Sequence, residues 1–267
     1  MSTFNLLLIA LIQGVTEFLP VSSSGHLILL PNLSGFEDQG QIIDVAAHVG
    51  TLIAVILYFR ADVKLALGGL MRLVRGKIDS QGAFLALCLI IATIPVILFG
   101  LFLKLTGLDD QMRGIALIGW TMIIFGIILY WADQSGPTTK TAEKWTLKDA
   151  LNMGIWQAIA LIPGTSRSGI TITAGRMLGY TRTDAARLSM LMSIPTIIAS
   201  GTLIGIDVAG TADASALRDI GIVITMSFAA ALLALALMMR LLQSVSFTPY
   251  VIYRIVLGVI LLWIAYT

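Results

Sequence analysis

The chain has 267 residues, of which 57% are hydrophobic and only 12% are charged, about half the charged share of a soluble globular domain. Together with a mean hydropathy of +0.93, this composition excludes a soluble enzyme, a disordered chain and a nucleic-acid-binding protein. A single cysteine excludes a disulfide framework, and two histidines leave few ligands for a transition metal. The net charge of +2 does not favour a polyanionic partner. We therefore predict an all-α polytopic membrane protein that forms one integral-membrane domain over residues 1–267.

The first predicted element is a pair of half-helices that meet at a polar tip. Residues 1–16 are uncharged, but they run into Glu17 and then into Pro20-Val21-Ser22-Ser23-Ser24-Gly25-His26, and a short apolar stretch over 27–30 follows. Proline and small polar residues break a helix. At membrane depth such a break is tolerated only where the freed backbone is buried in protein or lines a cavity. The pattern therefore predicts a re-entrant pair instead of a full span.

Three predicted spans follow the first tip, over 42–59, 83–103 and 114–132. A helix needs about 20 apolar residues, at roughly 1.5 Å each, to cross about 30 Å of hydrocarbon. These segments are apolar and uncharged, apart from Asp44 and His48 in the first one. None of them alternates between apolar and polar residues, so a closed membrane barrel is excluded.

The second half of the chain repeats this order. Residues 150–162 are apolar and run into a second polar tip, and a further apolar stretch over 170–178 follows. This pattern predicts a second re-entrant pair of half-helices. Three more spans are predicted, which makes six in all, and they cover 188–206, 220–239 and 249–267.

The two tips align at an offset of 144 residues. Four residues are then identical in the two halves, namely Gln13 and Gln157, Ser22 and Ser166, Ser24 and Ser168, and Gly25 and Gly169. Because a re-entrant pair returns to its own side of the membrane, three spans per half make the halves antiparallel. We therefore predict an inverted repeat with halves of about 1–135 and 145–267, an architecture that places a site near the bilayer midplane.

Lysine and arginine fall mostly on one side of this topology. The side that holds the predicted 60–82 loop receives thirteen of them, Arg176 and Arg254 included, and the other side receives three. Cytoplasmic loops carry the excess of positive charge in membrane proteins, so the richer side is predicted to be cytoplasmic. Both termini and the first polar tip then face outside.

The two tips resemble the two signature motifs of the bacterial undecaprenyl-diphosphate phosphatases, also called the bacitracin-resistance family. The motifs are Gln13-Gly-Val-Thr-Glu17-Phe-Leu-Pro-Val-Ser-Ser-Ser-Gly-His26 and Pro163-Gly-Thr-Ser-Arg-Ser-Gly169. The resemblance covers essentially the whole chain, in length, order of spans and both motifs. Gln13 stands where the family's first motif often has a glutamate, so this tip carries a single carboxylate.

The resemblance implies a hydrolase of the bacterial cytoplasmic membrane. Its expected reaction removes the terminal phosphate of undecaprenyl diphosphate, which leaves inorganic phosphate and the monophosphate carrier used in cell-wall synthesis. The resemblance also implies that the site opens to the outer face, where the diphosphate form of the carrier is released. The sequence leaves open whether the chain acts alone or as a homodimer.

Four residues form the predicted catalytic group. Glu17 is a carboxylate within apolar sequence, where ionisable residues are functional by default. Arg167 suits a phosphate because its planar guanidinium makes bidentate hydrogen bonds, although a buried ion pair with Glu17 is the alternative. Ser23, the pseudo-symmetric partner of Arg167, is the predicted nucleophile, with Glu17 or His26 as its base. Direct attack by His26 is the competing hypothesis.

Polar residues on both tips are the predicted phosphate ligands, although some of the hydroxyls are expected only to cap helices or satisfy backbone groups. They are Gln13, Ser22, Ser24, Thr165, Ser166, Ser168 and Thr171. Asp44 and His48 lie four residues apart on one predicted helix face. We expect them to form a structural pair, with support of the site as the alternative.

The charge of a diphosphate predicts a divalent cation, Mg²⁺ or Ca²⁺, as cofactor. The sequence offers no cage of oxygen ligands, so we expect the ion to arrive largely with the substrate, with Glu17 as a candidate protein ligand. The rival hypothesis is a transporter or flippase of a polyprenyl phosphate lipid, because inverted repeats with broken helices are an architecture of transporters. A transporter has no need for serine, histidine and glutamate within one tip, and this cluster favours the enzyme.

Overall fold

The computed structural model describes residues 2–28, 40–108, 112, 114–208 and 214–267. Within these ranges the secondary structure is helical, and the one extended contact is an isolated backbone bridge between Lys140 and Tyr180. The prediction of an all-α protein is therefore confirmed for the described part of the chain.

Helices α1 to α6 cover the first half of the described chain. They are α1 (Thr3–Thr16), α2 (Ser23–Leu27), α3 (Gly40–Tyr58), α4 (Arg60–Val74), α5 (Gln81–Thr106) and α6 (Ile115–Ser135). A short 3₁₀ turn, Ala142–Lys144, precedes the second half. The remaining helices are α7 (Leu147–Ile159), α8 (Arg167–Met177), α9 (Arg182–Val208), α10 (Ala214–Leu241) and α11 (Thr248–Tyr266).

Four helices of the described chain are long and apolar enough to cross a membrane: α5, α6, α10 from Leu217 onward, and α11. They contain the predicted spans 83–103 and 220–239 in full, and nearly all of 114–132 and 249–267. The predicted span 42–59 corresponds to α3, and 188–206 lies within α9. The protein is therefore a multi-pass membrane protein.

The segment 60–82, predicted as a loop, is largely helical. α4 leaves α3 at Phe59 with a bend of 92° between the two helices. It packs against the start of α5, where Gly69 and Gly82 leave no room for a side chain between the two backbones. Charged residues such as Lys64 and Arg72 interrupt its apolar positions. An amphipathic helix of this kind contains no long uncharged run, and for that reason the segment was predicted as a loop.

Both predicted helix breaks are present. α1 ends at Thr16 and α2 begins at Ser23, whereas α7 ends at Ile159 and α8 begins at Arg167. The residue before each second helix has a left-handed backbone, with φ of 71° at Ser22 and 69° at Ser166. Among the described residues these are the two positions other than glycine with positive φ, and they lie 144 residues apart.

The first helix of each half packs on a long helix of the other half. A Cβ atom on Gly14 of α1 would lie 2.7 Å from the Cβ atom of Ala230 in α10. A Cβ atom on Gly154 of α7 would lie 2.5 Å from the carbonyl oxygen of Ala92 in α5. Small residues allow helix backbones to approach this closely in membranes. This crossed packing brings the two tips together in the middle of the protein.

Two arginines that the sequence analysis counted as cytoplasmic loop charges lie inside the protein. Arg176 is fully buried and donates from Nε to Oδ1 of Asp133 at 3.2 Å. Arg254 is also fully buried and contacts both tips. Without them the predicted count is eleven against three, so the predicted orientation is unchanged.

Candidate functional site

A cavity of about 270 Å³ lies where the two tips meet. Its polar lining comes from α1, both tips, α3 and α9: Thr16, Glu17, Ser22, Ser23, Ser24, His48, Ser166, Arg167, Thr196 and Ser200. Val96 of α5, Leu161 and Ile197 of α9 contribute an apolar wall. The cavity therefore offers polar groups to a charged ligand and apolar side chains to a hydrocarbon chain.

Glu17 and Arg167 form an ion pair across the two tips. Nη2 of Arg167 donates to Oε1 of Glu17 at 2.7 Å, and the two side chains are only 14% and 9% exposed. Nη1 of Arg167 donates to the backbone carbonyl of Ser189 at 3.3 Å. The ion pair that the sequence analysis weighed as an alternative is thus present. It leaves further guanidinium N–H groups at the cavity for an anion.

Gln13 connects Glu17 to His48. Its Nε2 lies 2.7 Å from Oε2 of Glu17 and 3.1 Å from Nε2 of His48. The other ring nitrogen of His48, Nδ1, lies 2.8 Å from the backbone carbonyl of Asp44. Because a carbonyl only accepts, Nδ1 carries the proton. The amide nitrogen of Gln13 only donates, so Nε2 of His48 accepts from it, and this ring nitrogen lies 3.8 Å from Oε2 of Glu17.

The histidine at the cavity is therefore His48, which the sequence analysis expected to form a structural pair with Asp44. The ring donates from Nδ1 to the backbone carbonyl of Asp44, one helical turn earlier. The ring itself lines the cavity. The signal in the sequence was an ionisable side chain within an otherwise apolar span, which also marked Glu17.

Ser23 is half-buried and lines the cavity. Its neighbours Ser22 and Ser24 share a hydrogen bond of 3.0 Å between their hydroxyls, and Ser24 also accepts from the backbone N–H of Gly164 at 3.1 Å. Within the described residues the hydroxyl of Ser23 has no hydrogen bond. Of the three serines, Ser23 is thus the one whose hydroxyl is available to a substrate.

His26 does not reach this cavity. It lines a second cavity behind the first tip, together with Tyr250 and Tyr253 of α11. Its Nδ1 lies 2.7 Å from the carbonyl oxygen of Ser22, and its Nε2 lies 2.6 Å from the hydroxyl of Tyr253. The helical spacing of Ser23 and His26 predicted a shared side. The bond back to Ser22 holds the ring towards α11 instead.

The predicted phosphate ligands divide into two groups. Ser22, Ser24 and Ser166 line the cavity. Gln13, Thr165, Ser168 and Thr171 are buried beside it and do not line it. The buried hydroxyls mostly bond to backbone, as Ser168 does in donating to the carbonyl of Leu19 at 2.9 Å. Ser168 thus satisfies backbone that the broken helices leave unpaired, whereas the buried hydroxyl of Thr165 has no hydrogen bond within the described residues.

Arg254 is a site-supporting residue that the sequence analysis missed. From its position in α11, the guanidinium donates to the carbonyls of Thr165 at 2.9 Å, Gly164 at 3.2 Å and Pro20 at 3.5 Å. A buried charge needs such partners because it has lost its hydration. Arg254 therefore links the backbones of both tips. An arginine within the apolar stretch 249–267 was its signal in the sequence.

The donor set for a cation is small. Among the described residues, no group of three histidine, cysteine or acidic side chains could hold a metal ion. In that part of the chain Glu17 is the acidic side chain that lines the cavity, and both its oxygens already accept hydrogen bonds. These residues do not form a cage for Mg²⁺ or Ca²⁺ by themselves, so a cation here would depend on substrate oxygens.

Comparison with known proteins agrees with the resemblance of the two motifs. The family described as bacitracin resistance protein BacA matches residues 6–260. An undecaprenyl-diphosphatase of Dinoroseobacter shibae is 68% identical over 267 residues, which is the whole of both chains. One of Saccharophagus degradans is 44% identical over 258 residues, which is 97% of this chain and 96% of its own. The chain therefore belongs to the bacitracin resistance protein BacA family.

Proposed function

We propose that the protein is an undecaprenyl-diphosphatase of the bacterial cytoplasmic membrane. It hydrolyses the terminal phosphate of undecaprenyl diphosphate and yields undecaprenyl phosphate and inorganic phosphate, so that the cell-wall lipid carrier is recycled. The observation that carries this proposal is the meeting of both signature tips at one cavity, where Ser23, Glu17 and Arg167 lie together. Relatives that share up to 68% of the sequence bear the same name.

Arg167 binds the terminal phosphate. The phosphate oxygens replace Oε1 of Glu17 as acceptors of the guanidinium hydrogen bonds, and a bidentate contact fixes the phosphorus in place. The hydroxyl of Ser24, which also lines the cavity, donates to a further oxygen of the phosphate. The apolar wall, which includes Val96 and Ile197, receives the first isoprene units of the tail.

Ser23 attacks the phosphorus. A bond forms between Oγ and phosphorus while the bond from phosphorus to the bridging oxygen breaks, and undecaprenyl phosphate leaves. Glu17, released from Arg167, accepts the proton of the serine. His48 lies beside Glu17, with Nε2 3.8 Å from Oε2, and together with Gln13 it positions the carboxylate that accepts this proton.

Water completes the reaction. It attacks the phosphoserine while the bond between Oγ and phosphorus breaks. Glu17 returns its proton to Oγ, the proton of the water stays on the released phosphate, and inorganic phosphate and free Ser23 result. Arg167 stabilises the charge that develops on the phosphate oxygens in both steps. A divalent cation, when bound, would neutralise charge on the diphosphate, and Glu17 at the cavity would be its protein ligand beside the substrate oxygens.

The proposal includes an inverted repeat whose cavity opens to the outer face. The left-handed backbone at Ser22 and Ser166 and the crossed packing of α1 and α7 support the repeat. The excess of lysine and arginine on the side of α4 supports a cytoplasmic position for that side.

A phosphate-release assay on the purified protein tests the function. With undecaprenyl diphosphate as substrate, we expect one inorganic phosphate for each undecaprenyl phosphate formed, and no release from the Ser23→Ala variant. A folded protein that moves the lipid between the leaflets of a liposome without releasing phosphate would instead be a transporter, and this result would overturn the proposal.

A further inference from the structure

We infer that His26 and Tyr253 form a positioning pair that holds the backbone of Ser22 and thereby directs Ser23 into the cavity. Neither side chain of the pair lines the cavity that contains Glu17 and Arg167. The inference rests on the proposed function insofar as Ser23 is the nucleophile, and it assigns a role to Tyr253 of α11, which lies outside both signature motifs.

Hydrogen-bond chemistry fixes the tautomer of His26. The backbone carbonyl of Ser22 can only accept, so Nδ1, at 2.7 Å from it, carries the proton. Nε2 of the neutral ring then accepts from the hydroxyl of Tyr253 at 2.6 Å. The two rings are also stacked, with centroids 5.5 Å apart and an angle of 8° between their planes. Both ring nitrogens are occupied, so neither is available to take a proton from Ser23.

The first tip needs this hydrogen bond from His26 because it lacks the side-chain cap that stabilises the second tip. Ser22 and Ser166 share a left-handed backbone that residues other than glycine rarely adopt. Ser166 caps α8 with its own hydroxyl, which accepts from the N–H of Gly169 at 3.1 Å. Ser22 makes no such bond to α2. The bond from His26 to its carbonyl is the corresponding restraint, and Tyr253 anchors that ring to α11.

Restraint of the Ser22 carbonyl also restrains its neighbour. The carbonyl of Ser22 and the N–H of Ser23 belong to one planar peptide group, so the bond from His26 limits the rotation that would carry Ser23 out of the cavity. Loss of the pair should therefore lower the rate of attack while Arg167 continues to bind the phosphate. A small misplacement of a reacting group has a large effect on rate.

The experiment compares two tyrosines of α11. Tyr253→Phe removes the hydroxyl that bonds His26 and keeps the stacked ring. Tyr250→Phe is the matched control, because Tyr250 lines the same second cavity and its hydroxyl has no hydrogen bond within the described residues. We expect Tyr253→Phe to lower kcat roughly tenfold with little change in KM, and Tyr250→Phe to match the wild type. Equal activity of the two variants would overturn the inference.

Two further measurements separate positioning from proton transfer. We expect His26→Ala to lower kcat without removing a limb of the pH–rate profile, and Tyr253→Phe to add little in the His26→Ala background, since both act through one restraint. Loss of a limb in His26→Ala would show that His26 itself transfers a proton, and would overturn the inference.

A measurement without turnover keeps the inference separate from the proposed function. In a Cys88→Ala background, the labelling rate of Ser23→Cys by a thiol reagent reports how residue 23 is presented to the cavity. We expect Tyr253→Phe to change this rate several-fold and Tyr250→Phe to leave it unchanged. If the wild-type protein releases no phosphate while the Ser23→Cys variants show this shift, the proposed function alone is refuted. An unchanged rate would refute the positioning pair.

Discussion

The side chains at the cavity form a connected chain of contacts that ends at a phosphate-binding guanidinium. Gln13 bonds to Glu17, Glu17 bonds to Arg167, and His48 completes the group through Gln13. Only one member, Arg167, has the planar arrangement of donors that matches a phosphate. The remaining members position the carboxylate that the substrate displaces.

Arg167→Lys should reduce turnover by at least about two orders of magnitude, although the charge is retained. A single ammonium group cannot bond to Glu17 or to a phosphate in a bidentate manner, and loss of one transition-state contact has an effect of this size. Phosphate release under saturating substrate measures it, with the exposed Arg240→Lys as control. Near-normal turnover of Arg167→Lys would mean that the site needs only a positive charge.

Gln13→Glu should make the enzyme more sensitive to divalent cations. The substitution replaces an amide donor with a second carboxylate at 2.7 Å from an oxygen of Glu17, and two such carboxylates repel each other unless a proton or cation lies between them. We expect the half-saturating concentration of Mg²⁺ or Ca²⁺ to fall roughly tenfold. An unchanged cation requirement would show that the cation does not approach Glu17.

The covalent intermediate should be a phosphoserine at Ser23. Rapid quenching with labelled substrate should trap an adduct that survives acid and is lost in alkali, as phosphoserine is. The adduct should disappear in Ser23→Ala and persist in His26→Ala. An acid-labile adduct that persists in Ser23→Ala would instead identify a histidine as the nucleophile.

At the level of single residues, the chemical signals in the sequence singled out side chains that the structure brings together. A lone carboxylate and an arginine on apolar half-helices identified Glu17 and Arg167, and the structure places them 2.7 Å apart. The sequence could not separate the two histidines, because its spacing gives only neighbours on one element. Which ring faces the cavity depends on contacts from other elements, such as that of Tyr253 with His26.

At the scale of the helices, long uncharged runs in the sequence predicted the apolar spans, whereas the amphipathic helix α4 was not predicted. Long apolar runs are visible in the sequence of four helices, and these are α5, α6, α10 and α11. α4 is exposed along Leu67, Met71 and Val74, but the same helix carries charges at Arg60, Asp62, Lys64 and Arg72. Its bend from α3 depends on packing against α5, which no local pattern records.

Gly14→Ala should destabilise the protein through the contact of α1 with α10. The added Cβ would lie 2.7 Å from both the Cβ of Ala230 and the carbonyl oxygen of Ser227, and overpacking of this kind costs about 1–3 kcal/mol. Gly68→Ala in α4 is the control, because its Cβ would meet nothing within 4 Å and alanine favours a helix by up to about 1 kcal/mol. Thermal unfolding in detergent should show a lower midpoint for Gly14→Ala only.

The whole molecule should have the basic side of the bundle in the cytoplasm. In a Cys88→Ala background, Thr106→Cys at the end of α5 and Lys144→Cys in the 3₁₀ turn place one thiol at each side of the protein. An impermeant reagent applied to intact cells should label position 106 and leave position 144 unlabelled until the cells are opened. The reverse pattern would invert the topology.

The crossed packing of α1 on α10 and of α7 on α5 has a consequence for the autonomy of the two halves. Neither half contains the helix that covers its own first element, so neither can bury that surface alone. Two polypeptides divided within the connection between α6 and α7 should accumulate only when expressed together, and their reassembly should recover phosphate release. Such a pair would behave as an obligate heterodimer in which each subunit supplies one tip of a shared catalytic centre.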